Sequence, residues 1–272
     1  MTEKIRSSNY SLVCAHYKAL LSEHYTWTFG GAEGKYDTFT QILAKYLQNT
    51  KEKQVLDLGC GSGFQSIPLI KLGCMVTSID LSSNLLEELH EQVRQRKLDE
   101  NNIITICGDL LDFKQLVQNQ CFDDIICMGD TLIHLSNVGE VKQLIDDCYD
   151  SLNADGRLVL QYQDLTKPLH GTDRFIPVRS DERTVYTCFL EWNQDSARNI
   201  PGQDESGCII TVNDLVHVKK GIGAWELCKS SYPKLGLTAA FAMRLVEQAG
   251  FRIIDGTDDS GMVTIVCQRD DS

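Results

Sequence analysis

The spacing of hydrophobic positions changes twice along the chain. Over the first 50 residues apolar side chains recur at helical intervals, in residues 12–25 and 39–47, which predicts two amphipathic helices. From residue 54 to residue 162, short apolar runs alternate with amphipathic stretches. This alternation is typical of a parallel β-sheet covered by helices on both faces.

Individual elements follow from the same pattern. Strands are predicted at residues 55–58, 75–80, 103–107, 124–128 and 157–162, with helices at 63–72, 85–93, 110–117 and 138–152. Near the end of the chain, Thr238 is placed to cap a helix and Gly250 to end it. Two final strands are expected at residues 252–256 and 262–268.

The strand–helix alternation stops between residues 165 and 234. Here the dipeptides Lys167-Pro168 and Pro201-Gly202 predict loops. Strand-like segments occupy residues 184–192, 208–219 and 224–230, without helices between them. We therefore expect an antiparallel β lobe inserted before the last helix.

Composition narrows the possible partners. The 272 residues include 26 Lys and Arg against 38 Asp and Glu, for a net charge of −12, and no long basic run offsets the repulsion of a phosphate backbone. Nucleic acid is therefore not expected as a partner. No apolar stretch approaches the roughly 20 residues that span a bilayer, so no membrane association is expected. The 11 cysteines form no CxxC pair, so we expect a reduced, cytoplasmic protein without a metal site.

A glycine-rich segment, Gly59-Cys60-Gly61-Ser62-Gly63, follows the first predicted strand of the sheet. Such a segment is either a ligand-binding loop that exposes backbone amides or a tight turn without a ligand. A dinucleotide fingerprint would need glycine at position 64, where Phe64 stands. Asp57 would repel a pyrophosphate, whereas its carboxylate would attract an ammonium group.

This acid-x-Gly-x-Gly-x-Gly segment resembles the first motif of class I S-adenosylmethionine-dependent methyltransferases. The resemblance implies S-adenosylmethionine as cofactor and S-adenosylhomocysteine as product. It also implies that the motif contacts the cofactor through the residues Asp57, Gly59, Cys60, Gly61 and Gly63.

Two further acids follow the next two predicted strands. Asp80 stands 21 residues after Gly59 and can accept hydrogen bonds from both ribose hydroxyls, with Leu81 beside it. The family's third acid corresponds to Asp109, which would contact the adenine amino group while the Leu110 amide meets the ring. Each acid has a simpler alternative as a turn or helix cap.

After the fourth strand the chain runs Cys127-Met128-Gly129-Asp130-Thr131-Leu132-Ile133-His134-Leu135. This segment is similar to that of glycine N-methyltransferase-like enzymes, where it lies beside the transferred methyl group; the resemblance places Met128 against the cofactor. His134 and Asp130 are the candidate catalytic proton acceptors. Alternatively, His134 is a core histidine and Asp130 a helix cap. The Asp/Asn-Pro-Pro-aromatic motif of enzymes that methylate DNA amino groups is absent.

The resemblance completes the expected fold: an α/β, doubly wound, seven-stranded Rossmann-like sheet with the last strand antiparallel, plus the inserted antiparallel β lobe. We expect an N-terminal helical cap at residues 1–50 and the cofactor-binding methyltransferase domain at residues 51–164 and 235–272. The substrate lobe would occupy residues 165–234.

The acceptor is less defined than the donor. Tyr25, Trp27 and Phe29 form an aromatic cluster. The resemblance implies that an N-terminal tyrosine folds over the cofactor, so Tyr25 is expected near the sulfonium, which aromatic faces attract; ordinary packing is the alternative. Three lobe arginines are candidates for an acidic substrate or are solvated surface residues: Arg174, Arg179 and Arg183. Three cysteines are predicted in the lobe: Cys188, Cys208 and Cys228. If they converge, their thiolates could bind arsenite as the methyl acceptor; otherwise they are small hydrophobic core residues.

We therefore expect methyl transfer to a small-molecule acceptor. Glycine itself is disfavoured, because Gln161-Tyr162-Gln163-Asp164 has no arginine where glycine N-methyltransferases bind the substrate carboxylate. The alternatives are a cofactor-binding sensor without turnover and, less favoured, a nicotinamide-dependent oxidoreductase.

Overall fold

A computed structural model describes residues 22–28, 33–192, 207–221 and 223–270 of the chain. The α-helices are α1 Ser22–Thr28, α2 Glu33–Tyr46, α3 Ser66–Lys71, α4 Ser83–Gln95, α5 Phe113–Leu116, α6 Val138–Asp150 and α7 Ala239–Gln248. The strands are β1 Gln54–Leu58, β2 Met75–Asp80, β3 Ile103–Cys107, β4 Phe122–Cys127, β5 Leu152–Gln163, β6 Phe175–Ser180, β7 Thr184–Trp192, β8 Cys208–Lys220, β9 Ala224–Gly236, β10 Phe251–Asp259 and β11 Met262–Arg269.

Seven strands form the main sheet in the order β10-β11-β5-β4-β1-β2-β3. Strands β1 to β5 pair in parallel, while β11 runs antiparallel to both β5 and β10. The predicted sheet, including its antiparallel last strand, is confirmed. Because β1 and β4 are central and covered on both faces, nearly all of their residues are buried.

Helices cover both faces of this sheet. On one face, α6 and α7 pack against alternate residues of β1, β4 and β5, and Leu56, Leu144 and Val246 are fully or almost fully buried there. On the other face, α2, α3 and α4 enclose a second core that contains Val55 and Leu89. The sheet is therefore doubly wound, as predicted.

Side-chain caps set two of the helix starts. The Ser82 hydroxyl accepts a hydrogen bond from the Leu85 amide at 3.4 Å, and Thr238 caps α7 through the Phe241 amide at 3.2 Å. Gly250 follows α7 with φ +100°. Both predicted ends of α7 are confirmed, because short hydroxyl side chains satisfy the first free amides and glycine tolerates the left-handed conformation.

A separate antiparallel sheet forms the lobe, in the order β6-β7-β8-β9. Along β8 every second residue is buried, from Cys208 to Val216, so one face of the lobe packs inward. The predicted strands β7, β8 and β9 are confirmed. Strand β6 is absent from the sequence prediction, because Phe175-Ile176-Pro177-Val178 is largely exposed and contains a proline, which is typical of an edge strand.

Two predicted helices are shorter than expected. The segment at residues 110–117 divides into a 3-10 turn, Leu110–Asp112, and the single turn α5. Helix α3 begins at Ser66 rather than at residue 63, because Gly63 has φ +91° and cannot join a right-handed helix. None of the helices within the described residues combines the length and the apolar character needed to cross a membrane.

Candidate functional site

A cleft opens at the carboxyl ends of β1 to β4, where successive loops meet at one edge of the parallel sheet. It encloses about 540 Å³ of empty space, part of which is open to solvent. The cleft is lined by Tyr25, Gly59, Gly61, Ile79, Asp80, Leu81, Gly108, Leu110, Gly129, Thr131 and His134. Ligand sites of open α/β sheets lie at this edge.

The loop after β1 needs glycine for geometric reasons. Gly59 and Gly61 have φ values of +75° and +53°, and the Gly59 amide donates to the Ile79 carbonyl at 2.8 Å. A Cβ atom on Gly59 would lie 2.2 Å from Cγ2 of Thr131, and one on Gly61 would lie 3.0 Å from the Tyr25 ring. The backbone of this loop therefore approaches the cleft more closely than any side chain would permit.

Asp80 ends β2 and faces the cleft. Its Oδ2 accepts from the Gly61 amide at 2.9 Å, and its Oδ1 accepts from the Ser82 amide at 2.8 Å. Burial raises the pKa of the Asp80 carboxyl, and the amide hydrogen bonds oppose this increase. The carboxylate is thus held in one orientation, and each oxygen retains a lone pair for a further donor.

The loop after β3 contributes through the residues on either side of Asp109. Gly108 and Leu110 line the cleft, whereas Asp109 is 8% exposed and accepts from the Leu111 amide at 2.8 Å. In the structure Asp109 therefore caps the 3-10 turn, which is the simpler of its two predicted roles. Its carboxylate orients the backbone that forms the cleft wall.

Asp57 lies beneath the glycine loop rather than in the cleft lining. It is 1% exposed, and the Ser66 hydroxyl donates to its Oδ2 at 2.5 Å. Burial raises the pKa of Asp57 to about 7, the Ser66 hydrogen bond opposes this shift, and the charge of Asp80 adds to it. Three other predicted contacts, Cys60, Gly63 and Met128, are likewise absent from the cleft lining.

Those three residues support the loop from behind. Cys60 and Met128 are buried in the core on the α3 side of the sheet, and burial raises the pKa of the Cys60 thiol. A Cβ atom on Gly63 would lie 2.2 Å from Cδ1 of Leu89. Gly63 therefore permits α4 to pack against the loop.

Helix α1 brings Tyr25 over the glycine loop. The Tyr25 ring lies 5.8 Å from the Phe64 ring, centroid to centroid, and borders the cleft at Gly61. Burial raises the pKa of the Tyr25 phenol, so the ring enters the cleft uncharged. The next residue, Thr26, hydrogen-bonds to Ser62 at 3.0 Å and donates to Glu88.

Trp27, predicted beside Tyr25, lies farther out and contacts the lobe. Its indole N–H donates to Asp181 Oδ2 at 2.7 Å, and the Arg179 guanidinium lies 5.3 Å from its ring centroid. Trp27 thus joins α1 to the turn between β6 and β7. Phe29 lies outside the described residues.

The turn after β4 separates the two predicted catalytic residues. His134 lines the cleft and stacks on Tyr232 of β9, with ring centroids 5.5 Å apart. Asp130 is not part of the cleft lining: its Oδ1 accepts from the Gln163 amide and its Oδ2 from Lys234, both at 2.7 Å. Burial favours a higher pKa for Asp130, but Lys234, Gln163 and His134 hold it below its usual range.

For the lobe arginines and cysteines the sequence leaves a ligand role and an ordinary surface or core role open, and the structure does not bring the three cysteines together. Arg174 lies over the Phe189 ring at 4.8 Å, and Arg183 is exposed. Cys188 and Cys228 lie opposite Asp214 and Val216 of β8, but Cys208 stands six residues from Asp214 along the strand, or about 20 Å away. No three His, Cys, Asp or Glu side chains converge as metal ligands within the part of the chain that the structure describes.

The site also includes residues that sequence reasoning did not select, among them Thr131, Tyr232 and Lys234. Thr131 stands inside the recognised segment and donates to the Met128 carbonyl at 3.0 Å. Tyr232 and Lys234 are two residues apart on β9 and so share a face of that strand. The alternation of side-chain direction along a strand could have shown that Tyr232 and Lys234 share a face. It could not have shown that this face contacts the turn after β4.

Comparison with known proteins agrees with the motif analysis. Residues 55–156 match the methyltransferase domain family. A glycine/sarcosine N-methyltransferase from Aphanothece halophytica is 30% identical over 120 residues, which are 44% of each chain. A ubiquinone biosynthesis O-methyltransferase from Coxiella burnetii (strain Dugway 5J108-111) is 30% identical over 135 residues, which are 48% of this chain and 54% of that protein. The chain thus spans about half the length of these curated relatives.

A solved structure extends the likeness in fold to nearly the whole chain. The amino pentose methyltransferase CalS10 from Micromonospora echinaspora, with S-adenosylmethionine bound, aligns over 99% of this chain and 100% of its own. The TM-score is 0.61 at 16% identity, so this likeness concerns the fold. Together with the family match over residues 55–156, this fold agrees with the resemblance to methyltransferases seen in the sequence.

Proposed function

We propose that this protein transfers a methyl group from S-adenosylmethionine to a small-molecule acceptor and releases S-adenosylhomocysteine. One observation carries the proposal: Gly61, Asp80 and the backbone on both sides of Asp109 border a single cleft. Turn chemistry alone would not require three loops from three strands to meet around one cavity.

The residues of the cleft fit a sulfonium nucleoside. Asp80 has lone pairs for the two ribose hydroxyls, while Leu81 and Leu110 offer apolar surfaces for the adenine ring. The glycine loop has no Cβ atoms to separate its backbone from Thr131 and Tyr25 at the cleft, and the uncharged Tyr25 ring offers its π-face to a cation. When bound, S-adenosylmethionine supplies a methyl group already activated on sulfur.

The protein's part in the reaction is chiefly alignment and the exclusion of water. Tyr25 closes the cleft from α1, and His134 and Thr131 form the wall after β4. We assign proton acceptance to the His134 imidazole where the acceptor must lose a proton, because it borders the cleft. Asp57, Cys60, Gly63, Asp109 and Met128 act beneath this surface by holding the loops.

We further propose the domain division expected from the sequence, in which residues 165–234 form the acceptor lobe. Its inward face meets the His134 wall through Tyr232. Glycine is disfavoured as acceptor, since Gln161, near the predicted carboxylate-binding position, is 8% exposed and hydrogen-bonds Thr264. The relatives named above include both N- and O-methyltransferases, so amines and hydroxyls are both candidate acceptor groups.

Calorimetry and a product assay test the proposal. We expect S-adenosylmethionine and S-adenosylhomocysteine to bind at one site and NADH not to bind. Labelled S-adenosylmethionine is then incubated with sarcosine, an amino sugar, a catechol and a metabolite extract, and labelled product is measured. Binding with transfer supports the enzyme, and binding without transfer to any of these supports the sensor. Binding of NADH alone would overturn the assignment.

A further inference from the structure

Strand β9 of the lobe contacts the turn after β4 at two points. The Lys234 Nζ lies 2.7 Å from Asp130 Oδ2, and the Tyr232 ring stacks on the His134 ring. Asp130 precedes the 3-10 turn Thr131–His134 and His134 ends it. The turn that forms one wall of the cleft is therefore held at both ends by one face of one lobe strand.

The Lys234–Asp130 ion pair is largely shielded from water. The Lys234 side chain is 12% exposed and that of Asp130 26%. The second Asp130 oxygen accepts from the Gln163 amide of β5, so one carboxylate joins the turn, the main sheet and the lobe. Asp130 also has φ +72°, a left-handed conformation that Asp tolerates when side-chain bonds hold it.

The charge of Lys234 also acts on a second acid, Asp214. Asp214 on β8 is 1% exposed, on the inward face of the lobe. Burial raises the pKa of Asp214, and Tyr186, Lys234 and Cys188 oppose that increase. Lys234 therefore compensates the negative charge of Asp130 in the main domain and that of Asp214 in the lobe. Removing Lys234 leaves both acids without this cation, whereas removing Asp130 leaves the charge of Lys234 still acting on Asp214.

We propose that Lys234 and Asp130 form a positioning pair, through which the lobe holds His134 and Thr131 at the wall of the cleft. His134 lines the cleft and Asp130 does not, so Asp130 orients the turn and proton acceptance falls to His134. The catalytic consequence of the pair rests on the proposed function, whereas the mechanical link does not.

Three variants and a matched control test the link. Lys234→Met removes the cation, Asp130→Asn removes the anion but keeps an acceptor for Gln163, and Lys234→Arg keeps the charge. The control, Lys142→Met, breaks an ion pair of the same 2.7 Å length whose side chains are about half exposed. Tm is measured for each variant and for the Lys234→Met/Asp130→Asn double variant.

We expect Lys234→Met to lower Tm by about 6 °C or more, Asp130→Asn to lower it less, and Lys142→Met to change it by less than about 2 °C. The double variant should lose less than the sum of the single losses, since the two residues share one interaction. If the two losses in Tm were additive, Lys234 and Asp130 would not interact as proposed.

The NMR signal of the His134 ring supplies a readout that a purely stabilising pair would not move. Because His134 lies against the Tyr232 ring, a displaced turn changes its ring-current shift. At a fixed pH we expect this signal to move in Lys234→Met and Asp130→Asn, to return in Lys234→Arg, and to stay in place in Lys142→Met. An unchanged signal in both disrupting variants would overturn the positioning role.

Calorimetry with S-adenosylmethionine separates this proposal from the previous one. In Lys234→Met the affinity should fall less than about tenfold, because Asp80 and Gly61 are untouched; a loss as large as that from removing the Asp80 carboxylate would contradict a role confined to the turn. If the wild-type protein binds no S-adenosylmethionine, the proposed function fails while the Tm and NMR results still decide on the pair.

Discussion

The two sides of the cleft are built over very different distances in sequence. On the donor side, formed by the loops after β1, β2 and β3, the key hydrogen bond joins Gly61 to Asp80, 19 residues apart. On the acceptor side, formed by the turn after β4 and the lobe, Asp130 meets Lys234 across 104 residues and Trp27 meets Asp181 across 154. The donor side is encoded by local motifs, whereas the acceptor side depends on how the lobe docks.

The electrostatics of the two sides also differ. Burial raises the pKa of the donor-side acids Asp57 and Asp80, and no cation is among the causes that lower either value. On the acceptor side the pKa of Asp130 is held low against burial by Lys234. A cationic cofactor would compensate donor-side acids, while the acceptor-side acid is compensated within the protein.

The largest expected effect is on the donor side. Asp80→Ala removes the carboxylate that faces the cleft, together with the acceptors of the Gly61 and Ser82 amides. We expect the affinity for S-adenosylmethionine to fall about 100-fold or more, since charged hydrogen bonds contribute roughly 1.5–3 kcal/mol each. Calorimetry measures the change.

A conservative variant and an exposed control variant are compared with Asp80→Ala. Asp80→Asn keeps one acceptor oxygen and should lose affinity to a smaller degree, whereas the exposed control Asp37→Ala should bind as the wild type does. If Asp80→Ala and Asp37→Ala bound equally well, Asp80 would be outside the binding site and the donor side would have to be reassigned.

The second expected effect concerns pH and Asp57. Its pKa of about 7 in the folded protein lies above that of an ordinary Asp, so ionising it costs folding free energy. This contribution is most favourable at low pH and is lost as pH rises to about 7. Between pH 5 and pH 8 the wild type should lose roughly 2–3 kcal/mol more unfolding free energy than Asp57→Asn, as measured by urea titration.

Asp130→Asn is the acceptor-side counterpart in this measurement. Because the pKa of Asp130 is lowered, its favourable contribution is present above the usual Asp pKa and is lost only at lower pH. Asp130→Asn should therefore be less stable at both pH 5 and pH 8, with the slope between them unchanged. A changed slope in Asp130→Asn, or an unchanged one in Asp57→Asn, would contradict the contrast between the two sides.

Much of the fold could be predicted because local pattern determines it. The strands β1, β2 and β4 are short segments that each contain apolar residues and are almost entirely buried, and the caps Ser82 and Thr238 act within three residues of their own positions. Strand β6 could not be predicted, since its apolar residues are exposed and Pro177 obscures the alternation. The glycine turn extends further than predicted, so that α3 begins only at Ser66. This start depends on backbone angles that residue spacing does not show.

For the site, position along the chain was easier to predict than orientation. Asp80 and Gly61 border the cleft, because the carboxyl ends of parallel strands share one edge. Asp57 and Asp130 have the expected places in sequence, yet Asp57 faces Ser66 and Asp130 faces Lys234. Side-chain direction at those positions depends on partners from other elements, which a single sequence does not pair.

The third expected effect tests whether the donor side needs open space at Gly61 or only a flexible backbone. Gly61→Ala and Gly171→Ala introduce similar strain, at φ +53° and +56°, but only at Gly61 would the new methyl group meet a neighbour, the Tyr25 ring. Both variants should lose roughly 1 kcal/mol of stability. Only Gly61→Ala should weaken S-adenosylmethionine binding, by about tenfold in calorimetry; equal binding by the two would remove the close approach as a requirement.

The smallest expected effect lies where the two sides meet. Trp27→Phe removes the indole N–H that donates to Asp181 but keeps an aromatic ring beneath Arg179. Because Tyr25 is on the same helix, a loosened α1 should weaken S-adenosylmethionine binding by about two- to threefold, and Asp181→Asn should have a similar effect by calorimetry. In the double variant the losses should not add, since both changes break one hydrogen bond. Additive losses would show that α1 and the lobe act on the cofactor separately, and that the acceptor side does not reach the donor side through Trp27.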